Sequence, residues 1–112
     1  MTAWSQNGIL RASEGDAGVR IIGKRDIERY MTRHANAATP LRCWVQKAEQ
    51  SDWKTPSAIR ADFASASFLS GNRVVFNIGG NNFRLVVIAV YVQGMLVVDW
   101  IGTHAEYDKK RF

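Results

Sequence analysis

The chain has 112 residues, 46% apolar and 22% charged, which is enough material for one domain with its own core. Its single cysteine, Cys43, excludes an intrachain disulfide and a cysteine-based zinc site and fits a reducing compartment. No run approaches the ~20 apolar residues that cross a bilayer, and the N-terminus lacks a signal peptide's basic start and apolar middle, so a cytoplasmic protein with no membrane partner is expected. The net charge of +5 leaves two readings open, plain solubility or an anionic partner such as RNA, DNA or an acidic protein.

Residues 1–18 hold three glycines and small polar residues without a sustained period, and are expected to form a flexible arm. Within it Trp4, Ile9 and Leu10 could dock on the surface. Only Arg11, Glu14 and Asp16 are charged there, so the basic excess belongs to the expected domain, residues 19–112. "VRII" (19–22) reads as a first strand, ended by Gly23. In "KRDIERYMTRH", Ile27, Tyr30 and Met31 recur at i, i+3 and i+4, which predicts a helix. "ANAATP" is expected to break it, with Thr39 capping a second helix and Pro40 in its first turn. Leu41, Trp44, Val45 and Ala48 then make one apolar stripe. A short link between two such helices suggests an antiparallel hairpin.

"SDWKTP" reads as irregular, and Ser57 could cap a short turn, "AIRADF". Gly71-Asn72 marks a turn. Three strands follow, "RVVFNI", "FRLVVIAVYV" and "MLVVDWI", joined through "GGNN" and "QG", both hairpin signals. The helices must bury their stripes, and one face of this sheet is available. The expected architecture is a two-layer α+β domain.

Several residues could carry chemistry. His104 lies just past the last strand, where it can face a ligand or simply solvent. His34 ends a helix, where a cation favours the dipole, a structural role. Arg84 sits mid-strand among apolar residues, which is costly unless it is paired or used. A bridge to Asp99 would satisfy it. Reflection about Gln93-Gly94 instead places it opposite Thr103 and His104. Lys54 and Arg60 flank the irregular segment, and Tyr107 offers a phenol. Glu106 and Asp108 make neither a glycosidase pair nor a metal site. There is no HExxH, Walker loop, GxGxxG or serine elbow. What remains is histidine, arginine, lysine and tyrosine. That set suits cleavage of RNA, where the 2′-OH attacks the adjacent phosphate, one group moves protons and cations stabilise the charge on phosphorus. It calls for no metal and no cofactor.

"WKTPSAIRADFASASFL", "RVVFNIGGNNFRLVV" and "GTHAEYD", in that order, resemble the HigB toxins of type II toxin–antitoxin modules, within the RelE-like superfamily. The resemblance covers about Val19 to Asp108. It implies the small RelE-like fold, with a short N-terminal strand and a two-helix hairpin on a mainly antiparallel sheet. It implies a ribosome-dependent mRNA endonuclease, partnered by a HigA-type helix-turn-helix antitoxin, whose complex with the toxin could bind operator DNA. The matching positions are His104 for proton transfer, Arg84 and Lys54 for the phosphate, and Tyr107 to orient or stack on the nucleotide. Arg60, Arg73, Lys109 and Lys110 are expected to hold substrate. A ParE-like inhibitor of DNA gyrase, which cuts nothing, and a basic RNA-binding regulatory domain are the alternatives; His104 beside Tyr107 speaks against the former.

The arm precedes the point where this family usually begins, so Val19 is expected near the native start. The mass of the natively expressed protein checks this, and a full-length mass would refute it.

Overall fold

A computed structural model of the protein describes residues 18–110 and 112. Apart from Gly18, the arm expected over residues 1–18, with its docking residues Trp4, Ile9 and Leu10, lies outside the described residues. Strand β1 (Arg20–Ile22) leads into α1 (Lys24–Arg33) and α2 (Ala35–Gln50). Then come α3 (Pro56–Asp62), β2 (Ser67–Leu69), β3 (Arg73–Ile78) and β4 (Phe83–Val90). A 3-10 turn (Tyr91–Gln93), β5 (Met95–Thr103) and α4 (His104–Asp108) complete the chain. The strands form one sheet in the order β1-β5-β4-β3-β2. Only the β1–β5 pairing is parallel. The expected α+β class with a mainly antiparallel sheet is therefore what forms.

The helices cover one face of the sheet, and their stripes explain why. Ile27 of α1 is buried, with Tyr30 and Met31 packed against the core. In α2 the buried residues are Ala37, Leu41, Trp44 and Ala48. Those spacings of four, three and four trace one helical face. The stripe starts earlier than the proline suggested, and this corrects the expected break at "ANAATP". Alanine is the best helix former, so residues 35–39 extend the helix and bury Ala37. Pro40 then sits inside α2, and the residue before the helix is His34 rather than Thr39. One residue thus links the two helices.

Two further starts differ from expectation. Thr55, not Ser57, caps α3: its hydroxyl accepts from the Ala58 amide at 3.2 Å, and Pro56 occupies the first turn. The segment expected to be irregular, residues 51–56, carries a core residue. Trp53 is only 2% exposed. Its ring stacks on Phe76 at 5.7 Å, and its indole N–H donates to Asp62 Oδ2 at 2.8 Å. Trp44 and Phe63 meet Phe76 edge-on at 5.2 and 5.4 Å. Such contacts add about 0.5–1.5 kcal/mol each beyond the area they bury. This aromatic cluster fixes α2, the α2–α3 link and β3 to one another.

The other sheet face is also partly covered. Val75 and Val86 are buried yet lie outside the helix-side core. Trp100 stands across from Val86 in the ladder. Its ring meets Tyr107 at 6.2 Å and Phe112 at 6.1 Å, and Tyr107 and Phe112 stack on each other at 5.8 Å. This arrangement depends on Gly102. A β-carbon there would collide with Cη2 of Trp100 and lie 2.9 Å from Glu106 Oε1.

Gly102→Ala should therefore cost about 1–3 kcal/mol by overpacking, measured by urea unfolding with tryptophan fluorescence. A second prediction concerns Tyr30, whose buried hydroxyl has no partner among the described residues. Burial, and then the negative charge of Glu106, raise its phenol above the usual 10.0. Below pH 10 folded and unfolded chains both hold the neutral phenol, and stability is whole. Above it the unfolded chain releases the proton more readily, so stability falls as pH rises through the folded value. Tyr30→Phe should keep neutral-pH stability and shrink the alkaline loss, read from urea midpoints on either side of pH 10.

Candidate active site

The site is built around Arg84. Its residue is 8% exposed, and it is the one charged residue buried among those described. Strand alternation sets Phe83, Leu85 and Val87 into the helix-side core and turns Arg84 to the opposite face. In the ladder it pairs with Asn77 on one side and Gly102 on the other. That is one residue short of the expected partner. The cause lies in the turn: the strand ends at Val90, paired with Met95, so the loop centres one residue before Gln93-Gly94 and shifts the pairing by two, of which a bulge restores one. The register shifts between Val86 and Val87, whose partners are Trp100 and Val98, which leaves Asp99 as the extra residue. The expected alternative, an Arg84–Asp99 bridge, is corrected by the same feature: Asp99 Oδ2 receives Arg73 Nε at 3.1 Å.

Arg84 therefore has no carboxylate in ion-pair reach among the described residues. Its Nη1 donates to the carbonyls of Asn81 and Phe83 at 3.2 and 3.1 Å. Its Nη2 donates to Asn81 Oδ1 at 2.8 Å and lies 3.3 Å from His104 Nδ1. All four acceptors can be neutral. A buried guanidinium held this way is oriented but not neutralised, and its field remains available to an anion.

His104 is placed by the start of α4. Five residues cannot hold a helix by themselves, so the anchoring is local. Thr103 and Glu106 form a reciprocal capping box, with the Thr103 amide donating to Glu106 Oε1 at 2.8 Å and the Glu106 amide donating to Thr103 Oγ1 at 3.1 Å. The His104 amide donates to the Asn82 carbonyl at 2.9 Å. The β3–β4 turn thus serves twice, Asn81 holding the guanidinium and Asn82 the histidine backbone. One helical turn further on, Asp108 Oδ2 lies 3.4 Å from His104 Nδ1. The His104 side chain stays 45% exposed.

Nδ1 consequently has two possible partners of opposite kind. When it bears the proton it faces the Asp108 carboxylate, and Nε2 presents a lone pair. When it is bare it accepts from Arg84, and Nε2 carries the proton. In the first tautomer Nε2 can take a proton, and the imidazolium that results can give it back.

The other residues singled out by sequence are spread over the molecule. Tyr107 follows His104 on the same short helix, its ring stacked with Phe112. Lys109 and Lys110 line a cleft beside that helix. Arg73 is tied to Asp99, and its guanidinium lies 5.9 Å from the Phe112 ring. Arg60 sits over Phe68 at 4.6 Å. Lys54 is exposed, with Asp52 3.7 Å from its ammonium, and no hydrogen bond or ion pair among the described residues joins it to Arg84 or His104. His34 is structural in setting, stacked on Tyr30 at 4.1 Å between α1 and α2.

Sequence reasoning missed Asn81 and Asp108 as partners. Both had signals. "THAE" matches the capping box, and a helix starting there sets Asp108 four residues from His104, on the same face. Asn81, three residues before Arg84, belongs to a turn of known polar propensity. Among the described residues no group of histidine, cysteine, aspartate and glutamate is placed to hold a metal. No helix among them is long and apolar enough to cross a membrane.

Comparison with known proteins bears on this geometry. Residues 37–110 match the family model of the HigB toxin, described as the RelE-like toxic component of a toxin–antitoxin system. The chain is also 31% identical over 93 residues to an mRNA interferase HigB of Escherichia coli O6:H1 strain CFT073, covering 81% of this chain and 90% of that protein. The family match spans most of α2, the turn that carries Asn81 and the strand end that carries His104, and on the strength of both comparisons this chain belongs to the HigB toxin family.

Proposed function

We propose that the chain is an endoribonuclease that cuts mRNA during translation on the ribosome, and that the His104–Arg84 pair carries the reaction. The observation that supports it most is the 3.3 Å approach of a half-exposed imidazole to a buried, uncompensated guanidinium. The similarity to an mRNA interferase points the same way.

The 2′-hydroxyl attacks the adjacent phosphorus. The new 2′-O–P bond forms as the P–5′-O bond breaks, leaving a cyclic phosphate and a free 5′-hydroxyl. His104 Nε2, in the tautomer bound to Asp108, accepts the 2′ proton. The imidazolium so formed, its Nδ1–H still facing Asp108, returns that proton to the leaving 5′-oxygen. Arg84 stabilises the charge that accumulates on the phosphoryl oxygens. Tyr107 gives an aromatic face near the same helix for a base. Lys54 is assigned no step, because nothing joins it to the pair.

The partner we propose is a HigA-type helix-turn-helix antitoxin, with which the chain could bind operator DNA. The support is the family's pairing of toxin with antitoxin. The net charge of +5 suits a ribosomal target. A gyrase inhibitor of the ParE kind finds no specific observation in its favour.

His104→Ala should lower cleavage about 10²–10⁴-fold, and Arg84→Ala about 10²–10³-fold. Both should relieve growth arrest on induction. Arg84→Lys keeps a charge but not the fork, and is expected to recover only part of the loss. Growth curves, with cut sites mapped inside translated codons, check this. Alanine variants as toxic as the parent would refute the assignment.

A further inference from the structure

Strand β1 pairs with only three residues of β5, ending at Ile22 opposite Val97. Beyond that point β5 has no strand on its outer side, and α1 runs past it. A β-carbon on Gly23, at the start of α1, would stand 3.1 Å from Val98 Cβ. The missing strand leaves a cleft of about 510 Å³ between the end of α1 and α4. Tyr30, Arg33 and His34 form one wall, Glu106, Lys109 and Lys110 the other, and Trp100 and Ile101 the floor.

The charge in this cleft is unbalanced. No carboxylate of the described residues lies within ion-pair distance of Arg33, Lys109 or Lys110. The acids nearby are already engaged. Asp26 receives Arg29 at 3.2 Å, Asp99 receives Arg73, and the Glu106 carboxylate caps α4. Lys110 Nζ lies 5.8 Å from the Trp100 ring. Unpaired cations beside an aromatic face are how proteins hold a single nucleic-acid strand, the charges following phosphates and the ring offering a stacking surface. A helical peptide would need a row of apolar anchor sites, and the floor offers only Trp100 and Ile101.

We propose that this cleft binds the RNA segment next to the scissile linkage, through backbone phosphates. The inference rests on the endoribonuclease reading and deepens it. α4 makes the connection, since it begins at His104 and the two lysines follow its last residue, about 8 Å further on at 1.5 Å per residue. A strand presented to Arg84 and His104 runs along this helix into the cleft. Lys109 and Lys110 stand out in the sequence as cations near the site. Arg33, some seventy residues earlier in the chain, joins them only through the fold.

The test uses the His104→Ala chain, which keeps RNA whole, and fluorescence anisotropy with a labelled dinucleotide and a single-stranded RNA of roughly eight nucleotides. Arg33→Glu and Lys110→Glu should each weaken the longer RNA about tenfold. Each should also reduce the slope of log K against log salt by about 0.7. Dinucleotide binding should not change, and Arg33→Lys should restore the longer RNA. Circular dichroism and thermal midpoints confirm that each variant is folded. Unchanged affinity and slope for the longer RNA would overturn the proposal. So would reversals that abolish antitoxin binding while RNA binding persists, which would make the cleft a protein site. Failure of the catalytic assignment reads out separately, as RNA cleavage undiminished by His104→Ala while the cleft variants still lose affinity for the longer RNA.

Discussion

A buried guanidinium with no carboxylate beside it is the constraint around which this molecule is arranged. Leaving an ion in that state costs free energy unless every donor finds an acceptor. Arg84 meets it at both terminal nitrogens, with two carbonyls, a side-chain amide and an imidazole. Three of those acceptors come from the turn before it or from its own strand, so the β3–β4 connection must keep its shape for the charge to be tolerated. The fourth is His104, which ties the C-terminal helix to the same requirement. An ion pair would have been the simpler solution. It would also have cancelled the field that a phosphate is proposed to feel.

The bulge at Asp99 keeps those two outcomes apart. In a regular ladder the carboxylate would keep step with the strand's alternation. The extra residue moves it out of register, and it meets Arg73 instead. The same displacement sets Trp100 opposite Val86, and with Tyr107 and Phe112 it closes the second face of the sheet. One inserted residue therefore separates a neutralised arginine at the rim from a charged one at the site, and supplies an aromatic wall between them.

Much of this was legible beforehand, and the failures have physical causes. β-branched runs marked β3, β4 and β5 well, because a sheet buried on both faces selects such residues. β2 escaped because three residues carry too little pattern. Pro40 is a start signal for α2, but the alanines before it favour helix and bury Ala37. Trp53 looked like part of a linker, and only its burial against Phe76 shows that the linker belongs to the core. At the site, Arg84 and His104 were found together because the strand register is nearly set by its turn. The one-residue error came from the turn, where Tyr91–Gln93 form a 3-10 turn in place of a two-residue hairpin and the bulge returns only one of the two residues lost. Lys54 and Arg60 were singled out by type and neighbourhood, and their actual surroundings depend on contacts that no local pattern encodes.

The parallel strand at the start of the fold has a kinetic side. β1 can pair only with residues 95–97, roughly seventy positions later, so closing that contact carries a long loop's entropy and raises contact order. The antiparallel meander from β2 to β5 involves much shorter closures and can assemble first. While the chain is being synthesised, its first strand must wait for the last one to emerge, and the imidazole arrives later still. A nascent molecule therefore lacks the assembled pair of Arg84 and His104 until almost the whole domain has been made.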